Sequence, residues 1–240
     1  MRRHENGNGG GALTTPSVPP LQMGDKLNRE DFLRIWEQHP EIKRAELIGG
    51  IVYMPSPVAR EHGREDNLAS TWIGVYHAET PGTEAGNNTT TLMLDESPQP
   101  DVYLRILPEY GGRSSNEGKY VSGGPELITE VCASSSAYDL HQKLDLYEKA
   151  GVLEYLAILL YEQEIRWHRL GKLGYRILSP ANDNLWKSKV FPGLWLDGKA
   201  ILANDAARVL KTLRLGLESP EHAAFVERLA KRQKRNAGPQ

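Results

Sequence analysis

The residues with the strongest claim to chemistry are two carboxylates and a lysine whose settings in the chain are unlike those of solvated surface charges. Glu130 lies within residues 126–132 (ELITEVC), a stretch that reads as a strand entered through the turn signal Gly123-Gly124-Pro125. Side chains alternate along a strand. Leu127, Thr129 and Val131 therefore share one face, and Ile128, Glu130 and Cys132 share the other with Glu126. Both faces are mostly apolar, the pattern of an interior strand covered on two sides. An ionised carboxylate in that setting is costly unless it is paired, protonated or bound to a metal. Asp101 opens another strand pattern, residues 101–106 (DVYLRI), 29 residues upstream of Glu130. A strand, a loop and a return strand fit that interval, so the two carboxylates are expected to be neighbours in one sheet.

Two hard oxygen donors in a partly dry site can hold one Mg²⁺ (or Mn²⁺), with water and a substrate phosphate completing the octahedron. Such an ion lowers the pKa of a bound water and neutralises charge developing on phosphate. Lys143, entering from the following helix, could orient or deprotonate the attacking water, or stabilise the charge at phosphorus. Glu46 and His62 complete the candidate set. Each residue also has an ordinary explanation. Glu130 could be paired with an arginine, and Asp101 after Pro100 could be a turn residue that starts a strand. Asp139 and Lys143 at i, i+4 could be a surface ion pair, His62 a solvated side chain, and Tyr147 and Tyr155 core residues.

The elements that must position these groups follow from periodicity. Ser136 as N-cap with Asp139 three residues on predicts a helix start. Leu140, Leu144 and Tyr147 form its apolar stripe, with Asp139, Lys143 and Tyr147 on neighbouring turns of one face, and Gly151 closes it. Residues 152–161 (VLEYLAILLY) then predict a second buried strand, giving a strand–helix–strand unit. Upstream, Asn28 caps a helix running to Gln38, which Pro40 stops. Residues 44–54 predict a hairpin around Gly49-Gly50, broken by Pro55-Ser56-Pro57. A helix is expected over 58–78, a weaker strand over 83–94, and a polar, Gly-rich loop over 108–118. Beyond the central unit, 165–170 and 174–178 read as outer strands and 190–196 as an apolar plug. Helices are expected over 199–215 and 219–235, the last with a basic end.

The totals bound the function. The chain has 240 residues, 39% of them hydrophobic and 25% charged, as in a water-soluble domain with appendages. Its single cysteine excludes an internal disulfide framework or a multi-cysteine zinc site and fits a reducing, cytoplasmic setting. No signal peptide is visible, and the longest apolar run is too short to span a bilayer, so no membrane partner is expected. A net charge of −2 gives no global attraction to nucleic acid, which would need a local basic patch. Expected boundaries are an unstructured tail at 1–22, one α/β domain at 23–197 and a helical extension at 198–240.

Several short patterns occur together: Gln99-Pro100-Asp101, then Gly124-Pro125-Glu126-Leu127 with Glu130-Val131, then Asp139-Leu140 with Lys143 and Tyr147, then Ala150-Gly151-Val152 with Glu154-Tyr155. With the upstream Glu46-Leu47-Ile48 and Gly50, and Pro55-Ser56-Pro57 before His62, this set resembles the Uma family. That family is of restriction-endonuclease type and lies within the PD-(D/E)XK nuclease superfamily. The resemblance covers about residues 30–196. It implies a restriction-endonuclease-like core, a mixed sheet flanked by helices, and metal-dependent hydrolysis of DNA phosphodiester bonds. It also implies Asp101, Glu130 and Lys143 as the catalytic core, with Asp101 and Glu130 holding the metal, and Glu46 and His62 as accessory groups. Cys132 stands where the superfamily's simple motif has lysine, so Lys143 serves from the helix instead. Nucleases of this type often act as pairs, so a homodimer is expected. The alternatives are an inactive nuclease-fold module binding nucleic acid or a protein, and a hydrolase of another phosphorylated substrate.

Overall fold

A computed structural model describes residues 18–54, 60–132, 137–181 and 184–237. The N-terminal part holds α1 (Arg29–Gln38), β1 (Glu46–Ile48), β2 (Ile51–Tyr53) and α2 (Arg60–Ala78). Next come β3 (Thr83–Asn87), β4 (Thr91–Leu92), β5 (Val102–Ile106), a 3-10 turn (Pro108–Tyr110), β6 (Ser115–Glu117) and β7 (Tyr120–Ser122). The central unit is β8 (Leu127–Cys132), α3 (Ala137–Lys149) and β9 (Glu154–Leu159). Then follow β10 (Glu164–Gly171), β11 (Gly174–Ile177), β12 (Leu185–Lys187), β13 (Trp195–Asp197), α4 (Gly198–Leu202), α5 (Ala206–Leu217) and α6 (Pro220–Asn236).

Six strands form one mixed sheet in the order β11-β10-β9-β8-β5-β3. Only β8 and β9 run parallel in it, because α3 carries the chain back across the sheet between them. β8 is interior, as its two apolar faces predict. Leu127 and Val131 face α2, whose Leu68, Trp72, Ile73 and Tyr76 form one core with them. Ile128 faces α3 and packs with Tyr147, Tyr155 and Ala157 in a second core. The fold is thus a mixed sheet flanked by helices with a helical C-terminus, as the resemblance implies. Among the described residues, no helix is long and apolar enough to cross a membrane.

Several expected elements divide. The single strand over 83–94 is β3 and β4, separated where Asn88 takes a left-handed φ of 48°. The helix over 199–215 is α4 and α5, broken where Asn204 takes φ 52° and Asp205 caps the second helix on Arg208 N. The loop expected over 108–118 holds a 3-10 turn and β6. Ser115 O and Asn116 Oδ1 accept from the buried Arg105 guanidinium, and β6 pairs with β7. Of the tail expected over 1–22, Leu21 is buried beside Phe32, Ala45, Leu47 and Val52. Pro55-Ser56-Pro57 and Ser136 lie outside the described residues, as does the Asp139 side chain.

Candidate active site

The register of β5 on β8 decides where the carboxylates meet. Val102 pairs with Thr129 and Tyr103 with Ile128, so the next rung brings Asp101 opposite Glu130 on the face that α3 covers. Asp101 precedes β5, and its Oδ2 accepts the Val131 N–H at 2.8 Å, which holds the carboxylate against the neighbouring strand. Lys143 and Tyr147, one turn apart on α3, both reach down to Glu130. Lys143 Nζ lies 3.1 Å from Glu130 Oε1, and the Tyr147 hydroxyl donates to the same oxygen at 2.6 Å.

Glu46 arrives from far away in sequence. Leu47 and Ser97 exchange backbone hydrogen bonds, which lays β1 along the chain leading to Asp101. The two-residue hairpin turn this requires is Gly49-Gly50, at φ 63° and 69°, left-handed values that glycine takes without a Cβ clash. Glu46 Oε1 then accepts the Gln99 N–H at 2.6 Å and pairs with Lys143 Nζ at 3.2 Å. From α2, His62 Nε2 lies 4.0 Å from Asp101 Oδ2. Asp66 follows one turn later on α2.

The set is graded in depth. The Glu130 side chain is 6% exposed and Lys143 10%, whereas Glu46 and Asp101 are each 19% exposed and His62 25%. Burial, with Asp101 and Glu46 adding repulsion and Lys143 opposing, pushes the Glu130 carboxyl up to about 8. Burial also lifts Asp101 to about 6, against the pull of Lys143 and the Val131 N–H. The Asp66 carboxyl is raised by burial, and one of its oxygens is enclosed without a hydrogen-bond partner. For Lys143, burial would favour the neutral amine. The carboxylates of Glu130, Glu46 and Asp101 outweigh it and hold the ammonium well above its ordinary value. Lys143 is thus a cation at neutral pH, suited to orienting water or stabilising negative charge and unsuited to removing a proton.

The donors fit a hard divalent cation. Among the described residues no three His, Cys, Asp or Glu side chains are placed to hold a metal ion by themselves. Mg²⁺ needs no such cage, since it retains waters and takes one or two carboxylates plus substrate phosphate. Among the described residues, the hydrogen bonds to the Glu130 carboxyl fall on Oε1 and the one to the Asp101 carboxylate on Oδ2, which leaves an oxygen of each for a cation. An added cation would also offset the excess of carboxylates over ammonium.

All five residues singled out from the sequence gather at one end of the sheet. Sequence reasoning missed two others. Tyr147 is buried in the core, as its place on the apolar stripe implies, but its hydroxyl also reaches the site, and the signal for that is its four-residue spacing from Lys143 on the same helix face. Asp66 gave no usable signal in a helix start rich in charge. Glu126, two strand positions before Ile128, serves elsewhere. Its carboxylate accepts the Ile106 and Arg113 N–H groups at the opposite end of β5.

The Uma2 family model, described as "Putative restriction endonuclease", matches residues 29–199. No curated protein matches the chain. Among solved structures, the chain is similar to a protein described as "a putative nuclease belonging to DUF820" from Anabaena variabilis ATCC 29413. That likeness has a TM-score of 0.58 and 16% identity over 74% of this chain and 98% of that one, which speaks to the fold. Since the family match spans well over half of the chain and runs through every element that carries the carboxylates, this protein belongs to the Uma2 family of restriction-endonuclease type.

Proposed function

We propose that the protein is a divalent-metal-dependent endonuclease that hydrolyses DNA phosphodiester bonds at the Asp101–Glu130–Lys143 site. One observation carries the reading. Three carboxylates, Glu46, Asp101 and Glu130, crowd a single buried ammonium, and burial and mutual repulsion make ionisation of Asp101 and Glu130 costly. That arrangement is unfavourable as a structural salt bridge and suits a site completed by a cation. Asp101 and Glu130 would hold Mg²⁺ (or Mn²⁺), which supplies a water of lowered pKa and neutralises phosphate charge. Glu46 and Glu130 fix Lys143 Nζ. Lys143, always cationic here, orients the attacking water or the scissile phosphate oxygen and stabilises the negative charge that grows there. Tyr147 locks the Glu130 rotamer. His62, at the exposed mouth beside Asp101, is placed to contact the incoming phosphate. A homodimer acting in the cytoplasm completes the proposal, the first because cutting two strands calls for two sites.

Calorimetric titration of Mn²⁺ into the wild type and into Asp101→Ala and Glu130→Ala, with and without a short duplex, tests it. The expected result is binding in the wild type that both variants lose, together with metal-dependent nicking of plasmid DNA. Absence of binding even with duplex present would overturn the proposal in favour of an inactive module that keeps the fold.

A further inference from the structure

The distribution of charge is uneven in a way the carboxylate site does not explain. The chain has 29 basic and 31 acidic residues, but five of the basic ones (Arg228, Lys231, Arg232, Lys234 and Arg235) fall within eight residues that contain no acid. Removing those five leaves 24 basic residues against the same 31 acidic ones, so the remainder is strongly acidic. This stretch is the second half of α6, beyond the residues that the family match covers.

The first half of α6 is bound tightly to the domain. His222, Phe225 and Leu229 are buried at helical spacing, and His222 bonds Thr80 Oγ1 and Leu217 O, each at 2.9 Å. From Ala230 to Ala237 every residue is exposed. The end does not hang free, because Asn236 Nδ2 donates to Glu109 O at 3.0 Å. Among the described residues, Lys231 alone of the five makes an ion pair, with Glu227 at 2.6 Å, and that pair is solvent-exposed. Favourable interaction with the helix dipole accounts for Lys234 and Arg235 in the last turn, but not for Arg228, Lys231 and Arg232 before it.

We propose that the second half of α6 is a docking surface for the phosphate backbone of nucleic acid, separate from the carboxylate site. Glu109 follows the end of β5 remote from Asp101. At about 3.3 Å per strand residue that end is roughly 17–20 Å away, so these cations grip phosphates other than the one that reaches Glu130. Exposed cations on one anchored helix, four of the five without an ion pair among the described residues, form the sequence-independent electrostatic contact that positions a polyanion without reading its bases. An anionic membrane is the poorer partner, since surface helices bind bilayers through an apolar face, and the apolar face of α6 is already buried in the domain. The inference concerns binding and holds whether or not the carboxylate site cuts.

The test is fluorescence anisotropy of a labelled duplex with the full chain in EDTA, over a range of salt, for the wild type and the combined Lys231→Gln, Arg232→Gln, Lys234→Gln and Arg235→Gln variant. All four positions are exposed, so the combined variant keeps the fold, which its melting curve verifies. If all four cations touch phosphate, the combined variant should have a logarithmic salt slope shallower by up to about 3.6, equivalent to roughly 100-fold less weakening between about 50 and 200 mM salt. Equal slopes and affinities for the combined variant and the wild type would overturn the proposal. So would a wild type that binds phosphatidylserine vesicles but no duplex. If duplex binding depends on these cations but plasmid is never nicked, the nuclease reading fails and the docking surface stands.

Discussion

Replacing Lys143 by methionine separates the place of this ammonium as counter-charge to buried carboxylates from the role on substrate proposed for it. The side chain is 10% exposed and pairs at 3.1 Å with Glu130 and 3.2 Å with Glu46. Methionine keeps most of the volume and removes the charge. Taking one partner from a buried ion pair costs about 3–5 kcal/mol, because the other is left in low dielectric without compensation. Glu130 adds little to that cost: its carboxyl is pushed up to about 8 even beside the ammonium and higher without it, so at neutral pH it carries a proton and Glu46 is the partner left uncompensated. That places the expected loss at the lower end, about 3 kcal/mol, or a fall in Tm of roughly 6–12 °C for a chain of this size.

Mn²⁺ should then act differently on the two proteins. In the wild type the cation competes with Lys143 for the same carboxylates, and in Lys143→Met it does not. The stabilisation by a bound ion rises with its concentration over Kd, so the Mn²⁺-induced rise in Tm should be larger in the variant. DNA cleavage should nevertheless be lost. Differential scanning fluorimetry in EDTA and in MnCl₂, beside a nicking assay, reads all three quantities. A variant melting within about 2 °C of the wild type in EDTA would show that the ammonium compensates no buried charge. Cleavage that survives would remove Lys143 from the chemistry, whatever the stability result.

Tyr147→Phe removes a hydroxyl that donates to Glu130 Oε1 at 2.6 Å while keeping the ring packed on Tyr155 at 5.2 Å. Urea unfolding at neutral pH should show a loss of about 0.5–1.5 kcal/mol, the range for an ordinary hydrogen bond, because the Glu130 carboxyl, pushed up to about 8, is mostly protonated there, and an unchanged midpoint would mean that the hydroxyl does not hold Glu130. Phe225→Ala, at the contact of α6 with Phe191, should cost about 3–5 kcal/mol in the same measurement, and a loss below about 1 kcal/mol would show that α6 is only loosely attached. Glu154 tests the pH dependence outside the site. Burial raises its carboxyl above the ordinary value despite hydrogen bonds from Ser188 Oγ, Lys189 N and Val190 N. The folded state thus favours the protonated form, and stability from this group rises as pH falls through its folded pKa, levelling off below its unfolded value. Glu154→Gln lacks that titration, so the wild type should gain stability relative to it between neutral pH and about pH 4.5. A pH-independent difference between them would contradict the raised pKa.

How far the sequence discloses the site depends on the range of the contact involved. Glu130 stands out because the period of β8 is local, and a charge in a doubly apolar strand is visible within seven residues. Lys143 and Tyr147 are legible as a pair because helix spacing is also local. That they point at Glu130 depends on how α3 docks across β8 and β9, which periodicity does not encode. Glu46 is invisible from its own surroundings. Its position rests on the bridge between Leu47 and Ser97, fifty residues apart, and only the family resemblance singles it out. Asp66 lies in a helical stretch dense with charge, where one enclosed carboxylate looks like its solvated neighbours. The misread elements share a cause as well. Asn88 and Asn204 each take a left-handed φ that ends an element, and asparagine tolerates that conformation without requiring it.

Charge also bears on how the parts divide the work. A polyanionic substrate approaching Glu46, Asp66, Asp101 and Glu130 meets carboxylates, three of them with pKa values raised by burial. Lys143 is nearly enclosed and offers little attraction at a distance. A divalent ion reverses the local sign only where it binds, and it does so best once a phosphate completes its coordination. Some other surface must therefore hold the substrate long enough for metal and phosphate to arrive together. The acid-free half of α6 is suited to that task, since its cations are exposed on a helix anchored by Phe225, Leu229 and Asn236. If the two surfaces act on one nucleic acid, the combined α6 variant should raise KM for nicking and leave kcat close to the wild-type value, because lost docking weakens the ground state and transition state equally. A fall in kcat with KM unchanged would instead place those cations within reach of the reacting phosphate, contrary to their position at the far end of β5.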